Sequence, residues 1–97
     1  MEWKLEEDVV VCEICVYEYV IKKGEMDIKS CIAKIKQHAS IYGRDEKSIS
    51  DRIQNVKAWL EELGIDSTIP ISSLKHAASQ TKKTLMTCLK NAGILRA

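Results

Sequence analysis

Between Ser48 and Gly64 the apolar residues Ile49, Ile53, Val56, Leu60 and Leu63 step by four and three without a miss. That is the period of one helical face and no other regular structure. It predicts a helix over residues 48–63. Ser48 is the expected N-cap, with Asp51 in the place a capping box gives to glutamate. Gly64 is the expected left-handed residue after the last turn. The rest of the chain offers little to build strands from, because one proline and four glycines are too few turn formers for a multi-stranded sheet. The expected fold is all-α, a single helical domain over residues 1–97 folded as a compact bundle of four or five helices.

Three further stretches fill in that bundle. Leu5, Val9, Cys12, Val16 and Tyr19/Val20 share a helical face across residues 5–23. Glu6, Glu7 and Asp8 stand in its first turn and Lys22 and Lys23 in its last, as the helix dipole favours, and Gly24 ends it. Its β-branched residues also suit a strand. As a helix it is apolar nearly all round and belongs at the centre, with the third helix packed across it. A second helix starts at the N-cap Asp27 and runs to about Ser40, with Ile28, Cys31/Ile32, Ile35 and Ala39 inward and Lys29, Lys34 and Lys36 away. Tyr42-Gly43-Arg44-Asp45 reads as a loop. Beyond Pro70, residues 71–78 read as a short helix, Ser79-Gln80 as a turn, and Thr81 to Asn91 as another helix ended by Gly93. One uninterrupted helix from Ser72 to Asn91 is the competing reading, since Ser79 is a weak breaker.

The apolar fraction of 45% and charged fraction of 30% are those of an ordinary globular protein. No apolar run approaches the roughly 20 residues of a bilayer span, and the acidic start lacks a secretory leader. The expected setting is the cytoplasm, without a membrane partner. There the four cysteines are reduced. Cys12 and Cys15 form a C-x-x-C, but a structural zinc site needs four ligands. Cys31 and Cys88 stand alone in sequence, and His38 and His76 have no close histidine. The pair also lies within the apolar run 9–16, whereas a redox motif wants an exposed helix N-terminus. Core packing is therefore the expected role of the thiols, with no metal and no cofactor. Surface or capping positions suit the histidines. No glycine-rich phosphate loop, G-x-S-x-G or H-E-x-x-H is present, so neither an enzyme nor a small-molecule substrate is expected.

Charge is distributed unevenly. The net charge is only +1, yet no acid follows Asp66, while Lys75, Lys82, Lys83, Lys90 and Arg96 do. Such a basic end is suited to phosphates. Leu74, Ala77 and Ala78, then Thr81, Thr84, Leu85, Cys88 and Leu89, then Ala92-Gly93-Ile94-Leu95, resemble the helix-turn-helix of winged-helix regulators. That resemblance implies that Gln80, Thr81, Lys82, Lys83 and Thr87 face DNA, with lysines and hydroxyls on phosphates and Gln80 on a base edge.

A second resemblance spans residues 3–63. Trp3, Glu6-Glu7, Tyr17 or Tyr19, Gly43-Arg44, Ser48-Ile49 and Asn55-Val56 resemble, in order and approximate spacing, a helical domain that precedes the nuclease domain of some bacterial HNH endonucleases. The Trp-x-x-x-Glu-Asp opening is also similar to Myb/SANT domains. The HNH catalytic motif is absent, so no nuclease activity is implied. What is implied is a DNA-associated helical module with Arg44, Lys47, Arg52, Gln54 and Asn55 as contacts, against capping or pairing with Asp51 or Glu62 for Asn55 and Arg52.

Two functions follow as expectations. The first is a DNA-binding module, a regulator or the recognition domain of a larger system, working through its basic C-terminal helical face. The alternative is a small protein-interaction module, such as a phage-type inhibitor or adaptor, or a homodimer, whose acidic N-terminal half imitates nucleic acid. DNA binding requires Lys82, Lys83 and Arg52 to converge on one exposed face. An interaction module requires an exposed apolar patch, with Trp59 as its natural anchor if that side chain is exposed.

Overall fold

A computed structural model of the chain describes residues 2–41, 43–74 and 77–96, with only the backbone of Ala39. The described residues form four α-helices and no strand. They pack into a body with a radius of gyration of 12.0 Å. Helix α1 (Leu5–Cys15) continues into a π-helical turn over Val16–Ile21. Helix α2 (Ile28–Lys36) is followed by a 3-10 turn over Ala39–Ile41. Helix α3 (Glu46–Glu62) and helix α4 (Ser79–Asn91) complete the bundle. As its composition predicts, α1 is central and packs against each of α2, α3 and α4.

The core is aliphatic. Val11, Cys12 and Cys15 of α1 meet Ile35 of α2, Ile49, Ile53, Val56 and Leu60 of α3, and Leu85 and Leu89 of α4, all fully buried. Leu5 departs from the face assigned to it and is 59% exposed. The Ala39 side chain, expected on the inner face of α2, and Tyr42 of the following loop lie outside the described residues. Asp27 caps α2 as expected, its carboxylate accepting the Ser30 N–H at 2.7 Å. On α3 the cap lies one turn earlier than the sequence predicts: Asp45 Oδ1 accepts the Ser48 N–H at 2.8 Å, so Ser48 is a third-position donor rather than the cap. Helices α3 and α4 end in the same way. Gly64 and Gly93 take φ of +71° and +76°, and the next N–H bonds the carbonyl five residues back.

The first helix ends differently. Its left-handed residue is Lys23, at φ +49°, rather than Gly24. The π turn widens the spiral, so Lys22 N–H reaches Tyr17 O and Gly24 N–H reaches Glu18 O. Tyr19 O is then taken by Thr68 N–H at 3.0 Å, which docks the connection after α3 onto the end of α1.

The short helix expected over 71–78 is absent from its described residues 71–74 and 77–78; Lys75 and His76 lie outside the described residues. The single helix from Ser72 is absent for the same reason, and α4 begins at Ser79 where a turn was expected. Instead of a tight helix-turn-helix, a long connection joins α3 to α4, non-helical in its described residues 65–74 and 77–78. Side chains of α3 supply the hydrogen bonds this segment would otherwise make in a helix. Lys57 Nζ donates to the carbonyls of Ile69 and Ile71, and Asn55 Oδ1 accepts the Ala78 N–H at 2.6 Å. Trp59 Nε1 donates to Ala78 O at 2.8 Å. Ala78 is left extended, at φ −73° and ψ 136°, as the N-cap of α4.

Candidate functional site

The residues singled out as DNA contacts do not form one surface. Four of them, Arg44, Arg52, Gln80 and Thr81, are drawn into a polar cluster at the start of α1. Glu7 and Asp8 occupy its first turn, and both are buried. Arg44 binds the Glu7 carboxylate through both Nε and Nη2, at 2.8 and 3.0 Å. Arg52 binds Asp8 in the same two-pronged way, at 2.6 and 2.7 Å. Gln80 Nε2 donates to Asp8 Oδ2 and to the Trp3 carbonyl, and the Thr81 hydroxyl donates to Asp8 Oδ1. The Trp3 ring lies 4.3 Å from the Arg44 guanidinium carbon and 5.0 Å from that of Arg52. Asn55, buried on α3, spends its amide on Asp51 O and its carbonyl on Ala78 N–H.

Two carboxylates thus balance two guanidinium groups, and no buried side-chain polar atom among the described residues lacks a partner. Hydrogen bonding from Arg44 holds the Glu7 carboxyl below the ordinary range, against the opposing effect of burial. Trp3, Glu7, Arg44 and Ser48 meet here, where they join the chain's first residues to α1 and the start of α3. Arg44, Arg52, Thr81 and Asn55, expected as DNA contacts, are buried, and Gln80 is half-buried with its amide held by Asp8 and the Trp3 carbonyl. The convergence of Lys82, Lys83 and Arg52 on an exposed face does not occur, because Arg52 points inward to Asp8.

The remaining candidates scatter. Lys47 is 83% exposed and pairs with Asp51 one turn on. Gln54 faces Ser72 at 3.5 Å. Lys82 lies over the Trp59 ring at 4.9 Å and near Glu62, so Trp59 is half-buried and covered rather than a free anchor. Lys83 and Thr87 are exposed on another face of α4.

That face forms one wall of a groove. From α1 and its π turn come Leu5, Val9, Val16, Tyr17 and Ile21, with Glu13 among them; from α4 come Lys83, Thr84, Thr87, Cys88, Asn91 and Ala92. The groove encloses about 650 Å³. Leu5, Tyr17 and Ile21, the large exposed hydrophobic side chains among the described residues, all line it. Their exposures of 59%, 51% and 52% place them on one side of the central helix, along about 24 Å of its length. A surface of this kind loses water favourably when a second apolar face covers it.

Sequence reasoning missed this groove because a helix that is apolar all round does not announce which side stays uncovered. It also missed Glu18, a buried carboxylate at the π turn held by Lys22 at 3.3 Å and by Lys34. Lys34 is the main reason its pKa falls below the ordinary value. The same two lysines lie over the Tyr17 ring at 5.4 and 5.7 Å. Among the described residues no group of His, Cys, Asp or Glu is arranged to hold a metal ion, and no helix is long and apolar enough to cross a membrane. No protein family, curated protein or solved structure matches this chain.

Proposed function

We propose that this domain is a protein-interaction module that takes the apolar face of a partner helix into the groove between α1 and α4. One observation carries the proposal: the large exposed hydrophobic side chains of the described residues collect in that groove, while Arg44, Arg52, Asn55 and Thr81, expected to meet DNA, are buried in the fold. A helix laid there presents apolar residues at three- and four-residue steps to Leu5, Val9, Val16 and Ile21. Glu13 on one wall and Lys83 on the other give it charged rims that set orientation more than affinity.

DNA binding through α4 is the second reading, favoured by the exposed Lys83, Lys90 and Arg96 in a segment with no acid after Asp66. One experiment separates the two. A displayed peptide library is selected against the native domain, and in parallel the domain is titrated with a random 20-base-pair duplex at two salt concentrations. The docking proposal expects enriched peptides with helical apolar spacing whose binding is lost in Leu5→Lys and Ile21→Lys. It fails if no peptide is enriched. Salt-steep duplex binding that disappears in Lys82→Ala/Lys83→Ala would replace it with the DNA reading.

A further inference from the structure

Charge is ordered along the α1/α4 groove. Glu13 stands midway between Leu5 and Ile21 on the α1 wall and is the one acid among the described lining residues. Lys83 lines the opposite wall, near the start of α4, which Gln80 and Thr81 tie to Asp8 in the first turn of α1. It therefore marks the half of the groove that begins at Leu5. At the other end, Lys22 and Lys34 lie over the Tyr17 ring at 5.4 and 5.7 Å. These two lysines share the single buried carboxylate of Glu18, while 51% and 43% of their side-chain surfaces stay in water. Two cations on one anion leave that end positive, and the neighbouring Lys23 is exposed. Lys4 and Glu6, exposed at the start of α1 outside the lining, offset one another. The groove thus runs basic, acidic, basic. We propose that the helix it takes is amphipathic and about 16 residues long, with an acidic residue toward each end and a basic one at its middle.

The inference rests on the docking reading and adds the partner's charge pattern to it. The length follows from the span between Leu5 and Ile21, since a helix rises 1.5 Å per residue. Once its apolar face covers the exposed hydrophobic side chains, the charges beside that face stand at the rims, where water remains. Opposite charges meeting there add little each, but like charges brought together reject a partner of the wrong pattern. Helix α4 reinforces the rule, because it carries Lys82, Lys83 and Lys90 and no acid. A basic helix would meet lysines at both ends. A uniformly negative duplex would meet Glu13 at the middle and leave Leu5 and Ile21 without an apolar cover.

The test uses the native domain and designed alanine-based helices of about 16 residues, all with leucine at the same three- and four-residue steps. The matched helix carries glutamate toward each end and lysine at the middle. A second reverses these charges, a third has glutamine at all three places, and a fourth has glutamate at all three. Binding is followed by fluorescence anisotropy at low and at physiological salt. The matched helix is expected to bind about tenfold more tightly than the reversed one at low salt, a gap that narrows as salt rises. Glu13 and Lys83 are exposed, so each can be changed without disturbing the core. Glu13→Lys is expected to move the preference from the matched helix to the fourth, and Lys83→Glu to narrow the gap between matched and reversed. Equal affinity for the matched, reversed and neutral helices, or tighter binding of the reversed one, would overturn the charge pattern and leave docking standing. No binding of any helix would remove the docking reading, and this inference with it.

Discussion

Arg52 grips Asp8 across 44 residues of chain, with Nε and Nη2 each on a different carboxylate oxygen and Asp8 left without exposed surface. Removing one member of such a pair strands the other in a medium that solvates it poorly. Asp8→Ala, which also leaves Gln80 and Thr81 without their acceptor, is expected to cost about 3–5 kcal/mol, measured as the shift in urea unfolding. Arg52→Met should cost a similar amount. Asp8→Leu/Arg52→Met should lose clearly less than the two single changes summed, since the charges then leave together.

Two other ion pairs and a helix cap set the response to acid. The Glu7, Glu18 and Asp27 carboxyls all titrate lower in the folded chain than in model compounds, through Arg44, Lys34 and the Ser30 N–H respectively. A depressed folded pKa contributes stability that is fully present above the unfolded value and is lost as pH falls through the folded one. Unfolding free energy should therefore fall steadily below about pH 5. Glu7→Gln, which no longer titrates, should flatten that fall; an unchanged slope would rule out Glu7 as a contributor.

How far the sequence reveals this arrangement depends on the range of the interaction. Helices α2, α3 and α4 were readable because their apolar steps are local, as are the Asp27 cap of α2 and the glycines that end α3 and α4. The burial of Arg52 was not, because its partner belongs to another helix. A signal existed: Arg52 falls between Ile49 and Val56 on the inward face of α3, and Asp8 falls one turn before Cys12 on α1. Opposite charges at core positions of two helices point to each other, yet each alone reads as an ordinary surface residue. The described residues of the segment 71–78, namely 71–74 and 77–78, are not helical for a related reason. Its backbone partners are Asn55, Lys57 and Trp59, which periodicity within the segment does not register.

The misplaced start of α3 is directly measurable. Asp45→Ala removes the carboxylate that holds the Ser48 N–H and should cost about 1 kcal/mol. Ser48→Ala should cost less, since its hydroxyl makes only a 3.4 Å contact with Arg44. Equal losses in thermal unfolding, or a larger one for Ser48→Ala, would restore Ser48 as the cap.

Lys23 holds a left-handed conformation that a residue with a Cβ adopts at a cost. Glycine adopts it freely, although its unfolded chain is more flexible. The balance favours Lys23→Gly by up to about 1 kcal/mol, seen as a higher urea midpoint without a change in slope. A lower midpoint would mean that the Lys23 side chain contributes more than its backbone costs.

The last prediction separates docking from folding. Leu5 and Ile21 keep more than half of their surface in water, so the folded chain gains little from them. Leu5→Lys and Ile21→Lys should change stability by no more than about 0.5 kcal/mol each. Leu60, with no exposed surface at the centre of the bundle, should lose about 2–5 kcal/mol on truncation to alanine. The contrast can be read in one set of denaturation curves. If the two groove variants unfold nearly as easily as Leu60→Ala, the groove side chains belong to the fold. A loss of helix binding in those variants would then carry no weight for docking. If they stay near the native midpoint, the apolar surface they form is not required by the bundle, and its reason must be sought in what it touches.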